Sequence, residues 1–142
     1  MKGNIHAANM LTLLYEASQM ADDIVDEDAE NPIEAMARVL SISFVEIPSN
    51  QFYIANMNKF IPLFATSIQI WSLSDEWGKS KNEEQQLFGY VYREVLEQCI
   101  IMAAYIVGWQ KHAREVTREV NNYYHKTDQD KLADWLKEQN HG

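Results

Sequence analysis

A chain of 142 residues, 46% hydrophobic and 23% charged, is the size of one domain with a real core, and this balance argues against intrinsic disorder. Five Gly and three Pro are too few for the many tight turns of an all-β fold, and the single Cys99 excludes an intramolecular disulfide. The net charge of −9 gathers early in the chain: between Lys2 and Arg38 there is no Lys or Arg, against the eight acids Glu16, Asp22, Asp23, Asp26, Glu27, Asp28, Glu30 and Glu34.

Taken in chain order, the start shows no apolar leader, and a first helix is expected from about Ile5 to Asp26. At 100° per residue, Met10, Leu13, Leu14, Ala17, Met20, Ala21, Ile24 and Val25 gather on one side of it. Asn31-Pro32-Ile33-Glu34 reads as the start of a second helix, with Asn at the cap and Pro at the first helical position. Its buried stripe is expected to be Ile33, Met36, Ala37, Leu40 and Phe44, and it should stop before Pro48. The third segment, 50–77, is the most apolar long stretch. Pro62 inside it implies either a kinked helix or two short ones, and Gly78 stops it.

Ser80-Lys81-Asn82-Glu83 has the form of a capping box that opens a long helix from Glu83 to about Tyr124. Within it Phe88, Tyr92, Val95, Cys99, Met102, Ile106, Trp109, Ala113, Val116, Val120 and Tyr123 keep an unbroken 4-3 spacing, the pattern of a stripe that packs on another helix. Such a helix would extend ~60 Å, well beyond a compact body of ~35–40 Å. It therefore either breaks near Gly108 or projects and finds a partner. Residues 99–107 are apolar on every face, which places them mid-body, and from Gln110 onward the helix is amphipathic. Thr127-Asp128-Gln129-Asp130 caps a short terminal helix that buries Leu132, Trp135 and Leu136.

The sharpest chemical candidate is Asp22-Asp23-Ile24-Val25-Asp26-Glu27. Asp22 and Asp26 lie one helical turn apart, so their carboxylates can share a hard cation. Asp22, Asp23 and Asp26 also sit at a helix C-terminus, where the macrodipole disfavours negative charge by ~0.3–1 kcal/mol each, a cost that a bound cation would relieve. The segment resembles the aspartate-rich motif of class I isoprenoid enzymes, in particular the squalene and phytoene synthase family. That resemblance implies Mg²⁺ held by Asp22, Asp23 and Asp26 for a diphosphate substrate. Asp23-x-x-Asp26 with Glu94-x-x-Glu97 also resembles the paired carboxylates of all-α nucleotide pyrophosphohydrolases, although the heptad puts Glu94 and Glu97 on outer positions. The bland alternative is a solvated acidic face. Glu138-x-x-His141 is the one ferritin-like spacing, at the end of the chain where helices fray. Cys99, flanked by Ile100, Ile101 and Met102, reads as core.

The expected architecture is all-α: a single helical-bundle domain over 1–142, about five helices around one long central helix. Its compact body reaches about residue 109, and an extension covers 110–142. The expected role is a non-catalytic structural or interaction protein acting as a homo-oligomer, with the acidic end of the first helix open to a basic protein partner. A Mg²⁺-dependent enzyme acting on a diphosphate is the alternative, and an acidic mimic of nucleic acid is the third. No direct nucleic-acid contact and no membrane contact are expected, because the charge is acidic and the longest apolar run, Cys99–Trp109, is half of a membrane span. A cytoplasmic location follows from the lone Cys and the missing leader.

Overall fold

Four asparagines set the helix starts. The side-chain carbonyls of Asn4, Asn31, Asn50 and Asn82 accept the backbone N–H of Ala7, Glu34, Tyr53 and Gln85 at 3.0, 3.1, 3.0 and 3.1 Å. Each satisfies one of the donors that a helix leaves open at its first turn. The computed structural model describes residues 1–126 and 136–137, and its described residues are helical with no strand. The elements are α1 (Ile5–Val25), α2 (Pro32–Ser41), a π-helical turn (Ile42–Glu46), α3 (Gln51–Gly78), α4 (Glu83–Tyr92) and α5 (Glu97–Lys126). The all-α class and the number of about five helices are as the sequence predicts, but α4 and α5 share the stretch expected to be one helix, and most of the expected terminal helix lies outside the described residues.

The packing gathers the chain into two compact units, Met1–Phe60 and Ile61–Gly142. In the first unit α1, α2 and the π-helical turn pack together around Ala17, Ile42 and Ile47, with Leu13, Leu14 and Tyr53 against them. Asn50 ties the start of α3 to α1 by donating from Nδ2 to the His6 carbonyl at 2.9 Å. The α3 distortion lies at Asn56 (φ −128°, ψ 17°), ahead of Pro62, and the Asn56 side chain donates back to the Phe52 carbonyl at 2.9 Å.

The second helix corrects the expectation most sharply. Ile33, Met36, Ala37, Leu40 and Phe44 are exposed, and the opposite side, with Ala35, Arg38, Val39 and Ile42, faces the unit. The physical reason is Arg38. Its Nε and Nη2 donate to the two carboxylate oxygens of Glu16 on α1 at 2.6 and 3.3 Å, and its Nη1 donates to Glu46. A guanidinium fork held by two carboxylates fixes the rotation of the helix, and Ile42 follows it into the core.

In the second unit, α3 and α4 meet through small residues. A β-carbon on Gly89 would stand 2.6 Å from the Gly78 nitrogen and 2.7 Å from the Ser74 carbonyl, so only glycine permits this approach. Trp77 and Tyr92 pack beside that contact at 6.0 Å between ring centres. The single helix expected from Glu83 to about Tyr124 is divided twice. Residues 93–96 wind on three-residue bonds, such as Val95 N–H to the Tyr92 carbonyl at 3.0 Å, which shifts the register of the stripe between α4 and α5. The second break is at Gly108 (φ −140°, ψ 17°) and Trp109 (φ 62°, ψ −163°). There the His112 side chain occupies the place of a Gly108 β-carbon, its own Cβ lying 2.6 Å from that point. The helix start is also moved: Asn82, not Ser80, is the cap, while Ser80 Oγ lies 2.6 Å from Gln85 Oε1.

Of the predicted stripe, Val95, Cys99 and Ala113 are buried, Tyr92, Met102 and Ile106 are half-buried, and Phe88 and Trp109 are exposed; Ala103 and Ala104, off the stripe, are buried as well. Val116 and Val120 are half-buried. The expected cap at Thr127–Asp130, the burial of Leu132 and Trp135 and the side chain of Tyr123 lie outside the described residues.

Candidate functional site

The acidic end of α1 is built as a helix terminus. Glu27 takes the left-handed conformation (φ 62°) that ends the helix, and the Asp23 carbonyl accepts the N–H groups of Asp28 and Ala29 at 2.8 and 3.2 Å. Asp22 is half-buried, Asp23 and Asp26 are exposed, and the last turn contains no base. Among the described residues, no group of three or more His, Cys, Asp or Glu is placed to hold a metal ion.

Glu94 and Glu97 are half-buried rather than outward. The loop of tight turns between α4 and α5 rotates them away from the positions that an unbroken heptad assigns. Arg93 Nη2 lies 3.6 Å from Glu94 Oε1, and the guanidinium sits 4.7 Å over the Tyr90 ring. Burial, and then the nearby Glu94 charge, push the Glu97 carboxyl above the usual carboxylate range. Burial likewise pushes the Cys99 thiol up to about 12, so it is core, as its neighbours predict. In the first unit the Arg38 hydrogen bond and charge hold Glu16 below the usual range. Glu138 and His141 lie outside the described residues.

What the structure does present is apolar surface. Along α2 and the π-helical turn that follows it, Ile33 is 85% exposed and Phe44 is 74% exposed, with Met36 and Leu40 between them on the same side. On α4, Leu87 and Val91 stand on the side away from Gly89, and Phe88 lies beside them, stacked on Tyr92 at 6.0 Å. At the α5 break, Trp109 is 73% exposed, edge-on to the exposed Tyr105 at 6.1 Å. Among the described residues, eighteen large hydrophobic side chains are exposed, against six in the core that are larger than Ala or Cys. That imbalance decides the character of the site, because contiguous exposed apolar patches on soluble proteins mark contact surfaces.

Helical spacing predicts a buried α2 stripe and a Trp109 that packs on another helix, and both stand exposed. The available signal was charge: the stripe is preceded by a run of acids with no base, a surrounding that suits solvent better than an interior. Comparison with protein-family models, with curated proteins and with solved structures finds no match. Among the described residues, no helix is long and apolar enough to cross a membrane.

Proposed function

We propose that this protein is a non-catalytic helical interaction protein that works as a homo-oligomer. The observation that carries the reading is Trp109. Its backbone occupies a region that is essentially reserved for glycine (φ 62°, ψ −163°), and its ring stands in solvent. Such a conformation costs of order 1–3 kcal/mol and persists where something else repays it. A second chain that buries the Trp109 ring supplies that return, since large aromatics in desolvated pockets are the usual anchors of interfaces. Tyr105 beside it extends the anchor.

The test is light scattering over a concentration series, comparing wild type with Trp109→Ser. The expected mass of wild type is a multiple of the single chain, falling toward one chain in the variant with helicity kept. A wild type that stays at one chain throughout the micromolar range contradicts the reading.

A further inference from the structure

The exposed stripe of α2 has two properties together. Ile33, Met36 and Leu40 on α2, and Phe44 on the π-helical turn that continues it, follow one another at helical spacing on the side opposite Arg38, an apolar row ~16 Å long. At its N-terminal end stand Glu27, Asp28, Glu30 and Glu34, all exposed. The first unit as a whole carries three Lys or Arg against nine Asp or Glu. Its Arg38, the one base on α2, is turned to the opposite side and held by Glu16 and Glu46.

We propose that the α2 face docks a basic amphipathic helix of a partner protein. A narrow row at this spacing matches one helix laid along another, read by anchors at i, i+3, i+7 and i+11. The acids at one end give the partner its polarity: Lys or Arg at the end that meets Glu30 and Glu34, apolar residues along the rest. Charge complementarity of this kind sets the approach and the register of a helix. Self-pairing of α2 lacks that complement, because a second α2 would bring the same acids and keep its Arg38 turned away. The proposal rests on reading the chain as an interaction protein, but it uses a surface separate in sequence from Trp109.

The probe is a fluorescent peptide of about eighteen residues, five helical turns, made of Leu and Lys in an amphipathic pattern. A Leu/Glu peptide of the same pattern is the control. Full-length protein should bind the Leu/Lys peptide saturably and the Leu/Glu peptide at least roughly tenfold more weakly. Met36→Ser/Leu40→Ser should weaken Leu/Lys binding by roughly tenfold. Glu30→Gln/Glu34→Gln should weaken it by a few-fold and flatten its dependence on salt. These side chains are exposed, so helicity measured alongside should be unchanged; Leu87→Ser/Val91→Ser on α4 should bind as wild type. Equal affinity for the two peptides, or undiminished binding by Met36→Ser/Leu40→Ser, would overturn the proposal. So would a fall in the mass of the protein in that variant, since a second copy would then be the occupant. A chain that scatters as a monomer and still binds through α2 supports this proposal while contradicting the homo-oligomer. An assembled chain blind to the Leu/Lys peptide does the reverse.

Discussion

In the first unit the side of α2 that turns inward carries Arg38, and in the second unit the side of α4 that turns inward carries Gly89. Neither is the more apolar side. In one case a guanidinium fork finds Glu16 and Glu46, and the helix is rotated to keep those bonds. In the other the missing side chain lets two backbones approach to a distance that no other residue allows. The larger apolar residues, Ile33, Met36 and Leu40 on α2 with Phe44 just beyond it, and Leu87, Phe88 and Val91 on α4, are left outside in both. Apolar periodicity therefore identifies a helix, but the face it buries is chosen by the specific partner that is available.

The comparison breaks most easily at Gly89. Gly89→Val drives a side chain into the Gly78 nitrogen and the Ser74 carbonyl, backbone atoms that cannot swing aside. Urea denaturation should show a loss of about 3 kcal/mol, at the upper end of overpacking costs. A neutral result would mean that size does not select the α4 face.

Arg38→Leu is the corresponding change in the first unit, and pH gives it a signature. In wild type Glu16 is held below its usual range, so its contribution is complete above the ordinary glutamate pKa of ~4.3 and is lost as pH falls from there through its lower folded value. The variant leaves Glu16 and Glu46 without the shared cation. Its melting temperature at pH 7 should be lower, and acidification below about pH 4 should narrow the gap from wild type. A gap that stays constant with pH would remove charge as the selector of the α2 face.

Trp109→Gly sharpens the account of the α5 break. Measured at concentrations where light scattering reports single chains, it should stabilise the fold by ~1 kcal/mol, because glycine adopts that backbone without strain. A destabilised variant would show that the ring is packed within the chain. The smallest effect is expected at Glu97, whose folded pKa is raised. Its penalty is absent below the ordinary glutamate range and grows as pH rises from there through the folded pKa. Glu97→Gln should therefore melt slightly higher than wild type at pH 7 and equal to it near pH 3.

Helix existence was legible from short-range signals: Asn31-Pro32 marks a start and Gly78 a stop, while the box over 80–83 marks the right neighbourhood with the cap two residues later, at Asn82. The two breaks were only half legible. Gly108 is a weak helix former, but the turn at 93–96 carries no Gly or Pro, and its three-residue bonds follow no local breaker. The inward face of α2 was not legible from apolarity, since Arg38 meets Glu16 across twenty-two positions of sequence. Asp22, Asp23 and Asp26 do fall on one helix end, as their spacing predicts, but spacing alone does not supply a third element facing them.

The central claim is the outward orientation of the α2 stripe, and cysteine accessibility tests it most directly. Cys99 is fully buried with its thiol pushed up to about 12, so it stays silent in the folded protein and an added cysteine reports alone. Leu40→Cys and Ile42→Cys, two residues apart on opposite sides of the same segment, should be labelled by a thiol reagent at pH 8 at very different rates. The account predicts that Leu40→Cys reacts within a few-fold of the rate of a free thiol, and that Ile42→Cys reacts slower by at least about a hundredfold, through opening of the unit. Slow labelling of Leu40→Cys with fast labelling of Ile42→Cys would return the apolar stripe to the core and contradict it.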